Sequence, residues 1–351
     1  MEARLEKTQL IGMTMEELEQ FACAMGEKPF RGRQLFAWVY GRGVRDFAQM
    51  SDIAKPLRAR LSQVAEIGLL RPLAVEACRD GATRKFLFAL PDGERIESVY
   101  IPEGERQTLC ISSQVGCALG CAFCATGQMG FRRNLTAGEI VDQVLLVEHL
   151  VERQITNVVL MGMGEPFLNY EQVISACELM RHEQGLAIGH RRIVISTAGW
   201  VPGIMRLADE GHRFKLAVSL NATTDEMRRL LMPVAKRYPL QELLNAVLYY
   251  YRRTKRRPTF EYVLLAGVND SLEDARRLRQ LVRGVPCKVN LIPFNPTANK
   301  YRRPSPAQVE AFREALAPLK APVIVRWSKG DDIQAACGQL AASRNWGGDS
   351  P

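Results

Sequence analysis

From about residue 108 the chain alternates short β-branched, apolar runs with longer segments of helical periodicity, and this constrains the fold more than any other feature. The runs predict strands at Leu109–Ser113, Asn157–Met161, Arg192–Ser196, Phe214–Leu220, Phe260–Leu265 and Lys288–Pro293. Between them lie helical stretches such as Thr136–Glu152, Asn169–Glu183, Asp225–Leu231, Leu240–Thr254 and Asp274–Arg283. Strands separated by helices pair in parallel through right-handed crossovers. Six such units suit an open or partial (β/α)6 barrel, an α/β fold whose ligands gather at the C-terminal ends of the strands. A short late strand, Val323–Trp327, leads into a final helix from about Asp331.

The segment before the barrel has a different grammar. Thr14-Met15-Glu16-Glu17 is a capping box followed by Leu18, Phe21, Ala22 and Met25 at helical spacing, and further helices are expected near Gly32–Tyr40 and Lys55–Ala65. Residues 72–101 alternate around Pro91-Asp92-Gly93 and read as a β-hairpin. The expected organisation is a helical accessory domain over 1–70 and a hairpin connector over 71–102. The core follows over 103–335, then a C-terminal segment over 336–351.

With 351 residues, 47% of them hydrophobic and 24% charged, the chain can bury a large core without disulfides. It has no run of 18 apolar residues and its first residues lack an apolar signal core, so the expectation is a cytoplasmic protein with no membrane span. Nine cysteines are then ligands, catalysts or core filler, not staples. The net charge of +9 is uneven: residues 181–303 alone carry +13, densest at Arg252-Arg253-Thr254-Lys255-Arg256-Arg257 and Lys300-Tyr301-Arg302-Arg303. One such run is often a solvated face. Several in one region favour a polyanionic partner, expected to dock across the later part of the barrel.

Cys117-Ala118-Leu119-Gly120-Cys121-Ala122-Phe123-Cys124 places a C-x3-C-x2-C triad in the loop after the first core strand. Three thiolates so close repel one another unless a metal neutralises them. A structural zinc site normally takes four protein ligands; three thiolates on a 4Fe-4S cluster leave one iron open for a small molecule. The triad, with Phe123 before its last cysteine, resembles the radical S-adenosylmethionine (SAM) signature. In that superfamily the open iron chelates SAM, and one electron splits it to a 5′-deoxyadenosyl radical. Met161-Gly162-Met163-Gly164-Glu165-Pro166 resembles the family's GGEP motif, with Met163 in place of a glycine. Gly164 and Glu165, with Ser196, Ser219, Leu220, Asn221 and Asn295 at successive strand ends, are the SAM contacts this resemblance implies. Asn221 stands where many relatives have histidine.

The likeness extends over about residues 14–340. Thr108–Cys121, Gly130–Thr136, Gly267–Ser271, Ile292–Asn295, Pro29–Leu35 and Arg326–Ile333 through Cys337 resemble the adenine carbon-2 methyltransferases of 23S rRNA and tRNA, the RlmN group. Carbon 2 of adenine is electron-poor and does not attack a SAM methyl, which is why a radical route is needed. The resemblance makes Cys337 the methyl-accepting cysteine, Glu97 the proton acceptor, and Cys110 the resolving cysteine of a transient disulfide with Cys337. It also implies two SAM per turnover, an external flavodoxin-like electron donor and a monomer. By residue type alone, Cys110 in a strand and Cys337 in an alanine-rich helix read as core packing, and Glu97 as a solvated hairpin residue. Cys23, Cys78, Cys177 and Cys287 read as buried filler, and His149, His182, His190 and His212 have no ligand spacing. Two alternatives stay open: a carbon-8 methyltransferase of the same rRNA adenine (the Cfr group), and a zinc-stabilised, non-catalytic RNA-binding protein.

Overall fold

The computed structural model describes residues 7–297, 299–327 and 329–341. Ten strands form one sheet whose spatial order is the chain order: β1 (Arg71–Ala77), β2 (Arg84–Ala89), β3 (Arg95–Glu103), β4 (Arg106–Cys110), β5 (Asn157–Leu160), β6 (Ile193–Thr197), β7 (Lys215–Ser219), β8 (Thr259–Leu264), β9 (Lys288–Pro293) and β10 (Val323–Val325). From β1 to β4 the pairing is antiparallel, because tight turns join these strands. From β4 onward it is parallel, each step crossing over through helices. The six strands β4–β9 with their helices make the expected partial barrel, and β10 extends it.

Three details differ from the sequence reading. The expected hairpin is present as β2–β3, but β1 adds a third strand and all three continue the barrel sheet. The first parallel strand is Arg106–Cys110 and not Leu109–Ser113, because the chain leaves the ladder after Ile111 N–H donates to the Val159 carbonyl. The final helix reduces to one tight turn at Asp331–Ile333, after which Gly338 (φ 85°) bends the chain sharply.

The accessory domain is built on helices Met15–Ala24, Phe30–Phe36 and Lys55–Val64 and meets the long core helix, Ala137–Val151, through Ile11, Gly12, Arg45 and Leu69. Thr14 and Glu17 satisfy each other's backbone N–H groups at the first helix start. Residues 137–147 of the core helix are all buried, polar ones included, since the sheet covers one side and the accessory domain the other. That placement explains Asp142, which is fully buried yet ionisable. Its carboxylate accepts from Arg45 Nη1 (2.6 Å), Leu69 N–H (2.7 Å) and Leu70 N–H (2.8 Å), tying domain and linker to the barrel. Asp142→Ala would strand a guanidinium and two amides; a loss of about 3–5 kcal/mol is expected, read as a lower urea midpoint.

Glu148, near the end of the same helix, is pushed up to about 7 by burial, although it accepts from Ile155 N–H at 2.7 Å. An acid raised this way keeps its proton in the folded chain while the unfolded chain loses it, so stability falls as pH rises between roughly 4.5 and 7. Glu148→Gln, which retains the acceptor and cannot ionise, is expected to leave stability at pH 4.5 nearly unchanged. At pH 8 it should stabilise by about 1–2 kcal/mol, after allowance for partial screening. Equal shifts in thermal midpoint at the two pH values would refute this.

Candidate active site

A parallel sheet puts all its strand C-termini at one end, and there the structure gathers the sequence-predicted residues. The chain leaving β4 carries Cys110 and is held by Gln143 of the core helix, which accepts from Ser112 N–H at 2.8 Å and donates to its carbonyl at 2.9 Å. Beyond Ser113 a small antiparallel pair, Gln114–Gly116 with Phe131–Asn134, clamps both ends of the loop bearing Cys117, Cys121 and Cys124. Burial pushes the Cys117 thiol up to about 12 and raises Cys121 and Cys124, and Cys121 is raised further by both other cysteines. Cys117 and Cys124 thus lie within electrostatic reach of Cys121. Among the described residues, however, no three His, Cys, Asp or Glu side chains converge as the ligands of a single metal ion. Three free thiols on one pinned loop, coupled electrostatically but not gathered on a single ion, fit a polynuclear iron–sulfur cluster.

A cation supports this loop from below, and the sequence reading missed it. Arg228 is fully buried and donates to the carbonyls of Ala198 (2.8 Å), Tyr238 (3.2 Å) and Leu220 (3.3 Å). It therefore binds together the ends of β6 and β7, and its charge favours the thiolate of Cys121. Burial lowers its own pKa to about 10, still leaving it charged at neutral pH.

The expected SAM contacts line the same end. Glu165 is buried and pushed up to about 7 by desolvation; its Oε2 accepts from Ala198 N–H (2.7 Å) and its Oε1 from Phe167 N–H (3.1 Å). These bonds fix the carboxylate beside the end of β6, where Ser196 is half-buried. Gly164 lies flat against Gln114, whose side chain would touch any Cβ placed there. Ser219 closes β7, and Leu220 N–H donates to the Glu261 carbonyl of β8. Asn221 adopts φ 54° and accepts from Val263 N–H at 2.8 Å, so it bridges β7 and β8. Its side chain is committed to the scaffold.

The C-terminal segment crosses this mouth. Asn295, after β9, donates to the Cys337 carbonyl (3.2 Å); Ala125 N–H donates to Gly338 (2.7 Å) and Thr126 Oγ1 to Leu340 (2.5 Å). Glu97, 2% exposed, is no solvated hairpin residue: its Oε2 accepts from Ala341 N–H at 3.0 Å. Gln339, which carried no sequence signal, accepts from Ala336 N–H and donates to the Pro296 carbonyl (2.7 Å), closing the turn that presents Cys337. Cys337 sits on this turn, not in a helix. The residue is exposed, yet desolvation by the surrounding protein pushes its thiol up to about 11. Cys110 rises to about 12, by burial and then by the neighbouring Cys337. Glu97, Cys110, Cys337 and the cysteine loop are thus assembled from positions up to 240 residues apart. Of the other cysteines, Cys78, Cys177 and Cys287 are buried as expected, whereas Cys23 is exposed on its helix.

A cysteine loop at the strand ends of a partial barrel, with a glutamate-capped second strand beside it, defines a radical SAM enzyme, and the Radical SAM superfamily model matches residues 111–279. Residues 8–67 match the ribosomal RNA large subunit methyltransferase N-terminal domain. The dual-specificity RNA methyltransferase RlmN of Pelobacter propionicus is 50% identical over 95% of this chain and 96% of its own length. That of Geobacter sulfurreducens is 50% identical over 94% and 91%. The crystal structure of a radical SAM methyltransferase from Sphaerobacter thermophilus superposes with a TM-score of 0.92 at 46% identity, covering 96% of this chain and all of that one. The chain belongs to the RlmN family of RNA methyltransferases. It is an enzyme that uses SAM and a 4Fe-4S cluster, and the non-catalytic zinc-protein alternative falls. Among the described residues no helix is long and apolar enough to cross a membrane.

Proposed function

We propose that this enzyme methylates carbon 2 of one adenine at the peptidyl transferase centre of 23S rRNA, and of the adenine 3′ to the anticodon in some tRNAs. The observation that carries this reading is the C-terminal segment pinned across the barrel mouth, which keeps Cys337 beside Cys110. Cys117, Cys121 and Cys124 would hold the cluster, one per chain, leaving an iron open for SAM. When bound, the pair supplies one-electron cleavage of SAM and so a radical able to take hydrogen from an unactivated methyl group.

The chain's own residues do the rest. The Cys337 thiolate attacks the methyl carbon of a first SAM, S-adenosylhomocysteine leaves, and Cys337 becomes a thioether. After hydrogen is taken from that group, its carbon bonds to the electron-poor adenine carbon, joining RNA to Cys337. Glu97 removes the ring proton, and the adduct's unpaired electron would return to the cluster held by Cys117, Cys121 and Cys124, restoring the aromatic ring. The Cys110 thiolate then attacks the Cys337 sulfur; the disulfide forms as the S–C electron pair passes to the CH2 carbon, which takes a proton to become the methyl group, and RNA leaves. Two thiols raised by burial stay protonated until used, which protects them from idle oxidation. An external flavodoxin-like reductant supplies electrons, and the chain acts as a monomer. Chromatography and mass spectrometry of digested RNA test the reading. It expects 2-methyladenosine; 8-methyladenosine alone would place the chain with the Cfr group.

A further inference from the structure

The structure redistributes the +13 excess of residues 181–303. Much of it lies at the strand-start end of the sheet, opposite the catalytic mouth. The segments leading into β6, β7, β8 and β9 carry Arg191 and Arg192, Arg213 and Lys215, Arg256, and Lys288. No Asp or Glu occurs within residues 189–192, 211–215, 252–258 or 283–288. Strand register places these cations side by side: Val194 faces Lys215, Ala217 faces Thr259, and Thr259 faces Lys288, whose N–H donates to the Pro258 carbonyl. All but the half-buried Arg256 are exposed, and none of the six side chains makes a hydrogen bond or ion pair among the described residues.

Unpaired like charges in a row oppose folding. Although exposed, Lys215 is partly desolvated where it enters the sheet, and this, then Lys288, Arg106, Arg256 and Arg191, hold it below its ordinary value. His190 is lowered by burial and then by Arg256, Arg191, Arg213 and Arg181. Among the described residues no acidic side chain pairs with these cations to offset this repulsion; an external polyanion would. We propose that the strand-start end of the barrel is a second RNA-backbone contact, engaging phosphates of substrate RNA at a distance from the target adenine.

Three observations favour RNA over an acidic protein. Cations recur on four neighbouring strands, forming a row along which a continuous phosphate chain could run, and most are arginines, whose planar fork pairs with phosphate. The accessory domain reaches this end, since Phe36 packs on His182 with ring centroids 4.5 Å apart, at the foot of the helix that leads to Arg191 and Arg192. RNA gripped by that domain therefore has a continuous path onto the row. Finally, strands of five or six residues put this face about 16–20 Å from the cysteine loop, a poor position for a protein delivering electrons to it.

The inference rests on RNA being the substrate, so the test separates the two. Binding of an unmodified tRNA transcript and of its isolated anticodon hairpin is measured against salt for wild type and for R191Q/R213Q/K215Q/K288Q. The quadruple variant is expected to bind the full transcript at least about tenfold more weakly at 0.15 M salt, its salt slope shallower by about 3. Hairpin binding and hairpin methylation should stay unchanged. An unaltered slope and affinity for the transcript overturn the proposal. So does a defect confined to turnover driven by a flavoprotein donor, with dithionite-driven turnover and RNA binding intact, which would mark an acidic-protein dock. Wild type that bound neither RNA would instead sink the substrate reading itself.

Discussion

Cys337→Ala is expected to abolish methyl transfer to RNA while the protein keeps its cluster, and Cys110→Ala to be isolated with RNA covalently attached. The two outcomes differ because the thiols stand at different points of one sequence. Without Cys337 there is no sulfur to carry the methyl group, so neither product nor adduct forms. Without Cys110 the adduct forms and stays, because no second thiol cleaves the S–C bond. The structure makes the pair hard to replace: Cys337 is held by its own carbonyl to Asn295, and Cys110 by strand pairing with Val99. Other cysteines are fixed elsewhere; Cys78 donates to Asp80 in a surface turn and Cys177 is enclosed in a helix. Denaturing gels and peptide mass spectrometry check both results. The double variant Cys110→Ala/Cys337→Ala should carry no RNA. A Cys110→Ala enzyme free of RNA and turning over normally would falsify the assignment.

What the sequence disclosed follows from how local each signal is. The strand–helix alternation and the Cys117–Cys124 spacing are encoded within a few residues, so the barrel and the cysteine loop were readable directly. Arg228 was not, since one arginine in Asp225–Leu231 looks like any solvated helix position until three distant carbonyls converge on it. Asp142 escaped for the same reason: its partners come from Arg45 and from the linker at Leu69 and Leu70. The C-terminal turn shows the opposite failure. Alanine content predicted a helix, but Gln339 and Gly338 close a turn whose stability comes from Asn295 and Pro296, over forty residues away. Charge was counted correctly and assigned to the later part of the barrel, but the end of the strands at which it gathers was not legible. Placing it required knowing that the residues before each strand point away from the residues after it.

Gly116 and Gly120 look interchangeable in sequence, two glycines flanking cysteines proposed to hold the cluster, yet their replacement by alanine should have very different consequences. Both adopt left-handed backbone, φ 73° and φ 60°, so each substitution carries roughly 1 kcal/mol of conformational strain. At Gly120 nothing lies within 4 Å of the added methyl group, and strain is the whole effect. At Gly116 the methyl group would lie 1.8 Å from the Gly130 carbonyl oxygen, far inside contact distance, and that oxygen is the acceptor for Cys117 N–H at 2.9 Å. Relief requires the strand pair Gln114–Gly116 and Phe131–Asn134 to separate, which frees both ends of the cysteine loop. Gly116→Ala is therefore expected to fold its barrel, with near-normal far-ultraviolet circular dichroism, but to retain less than about a tenth of the wild-type iron and sulfide after anaerobic reconstitution. SAM cleavage should fall in proportion. Gly120→Ala should keep its cluster and lose only a few degrees of thermal midpoint. Equal iron content in the two variants would show that the loop, and not its clamp, sets cluster retention.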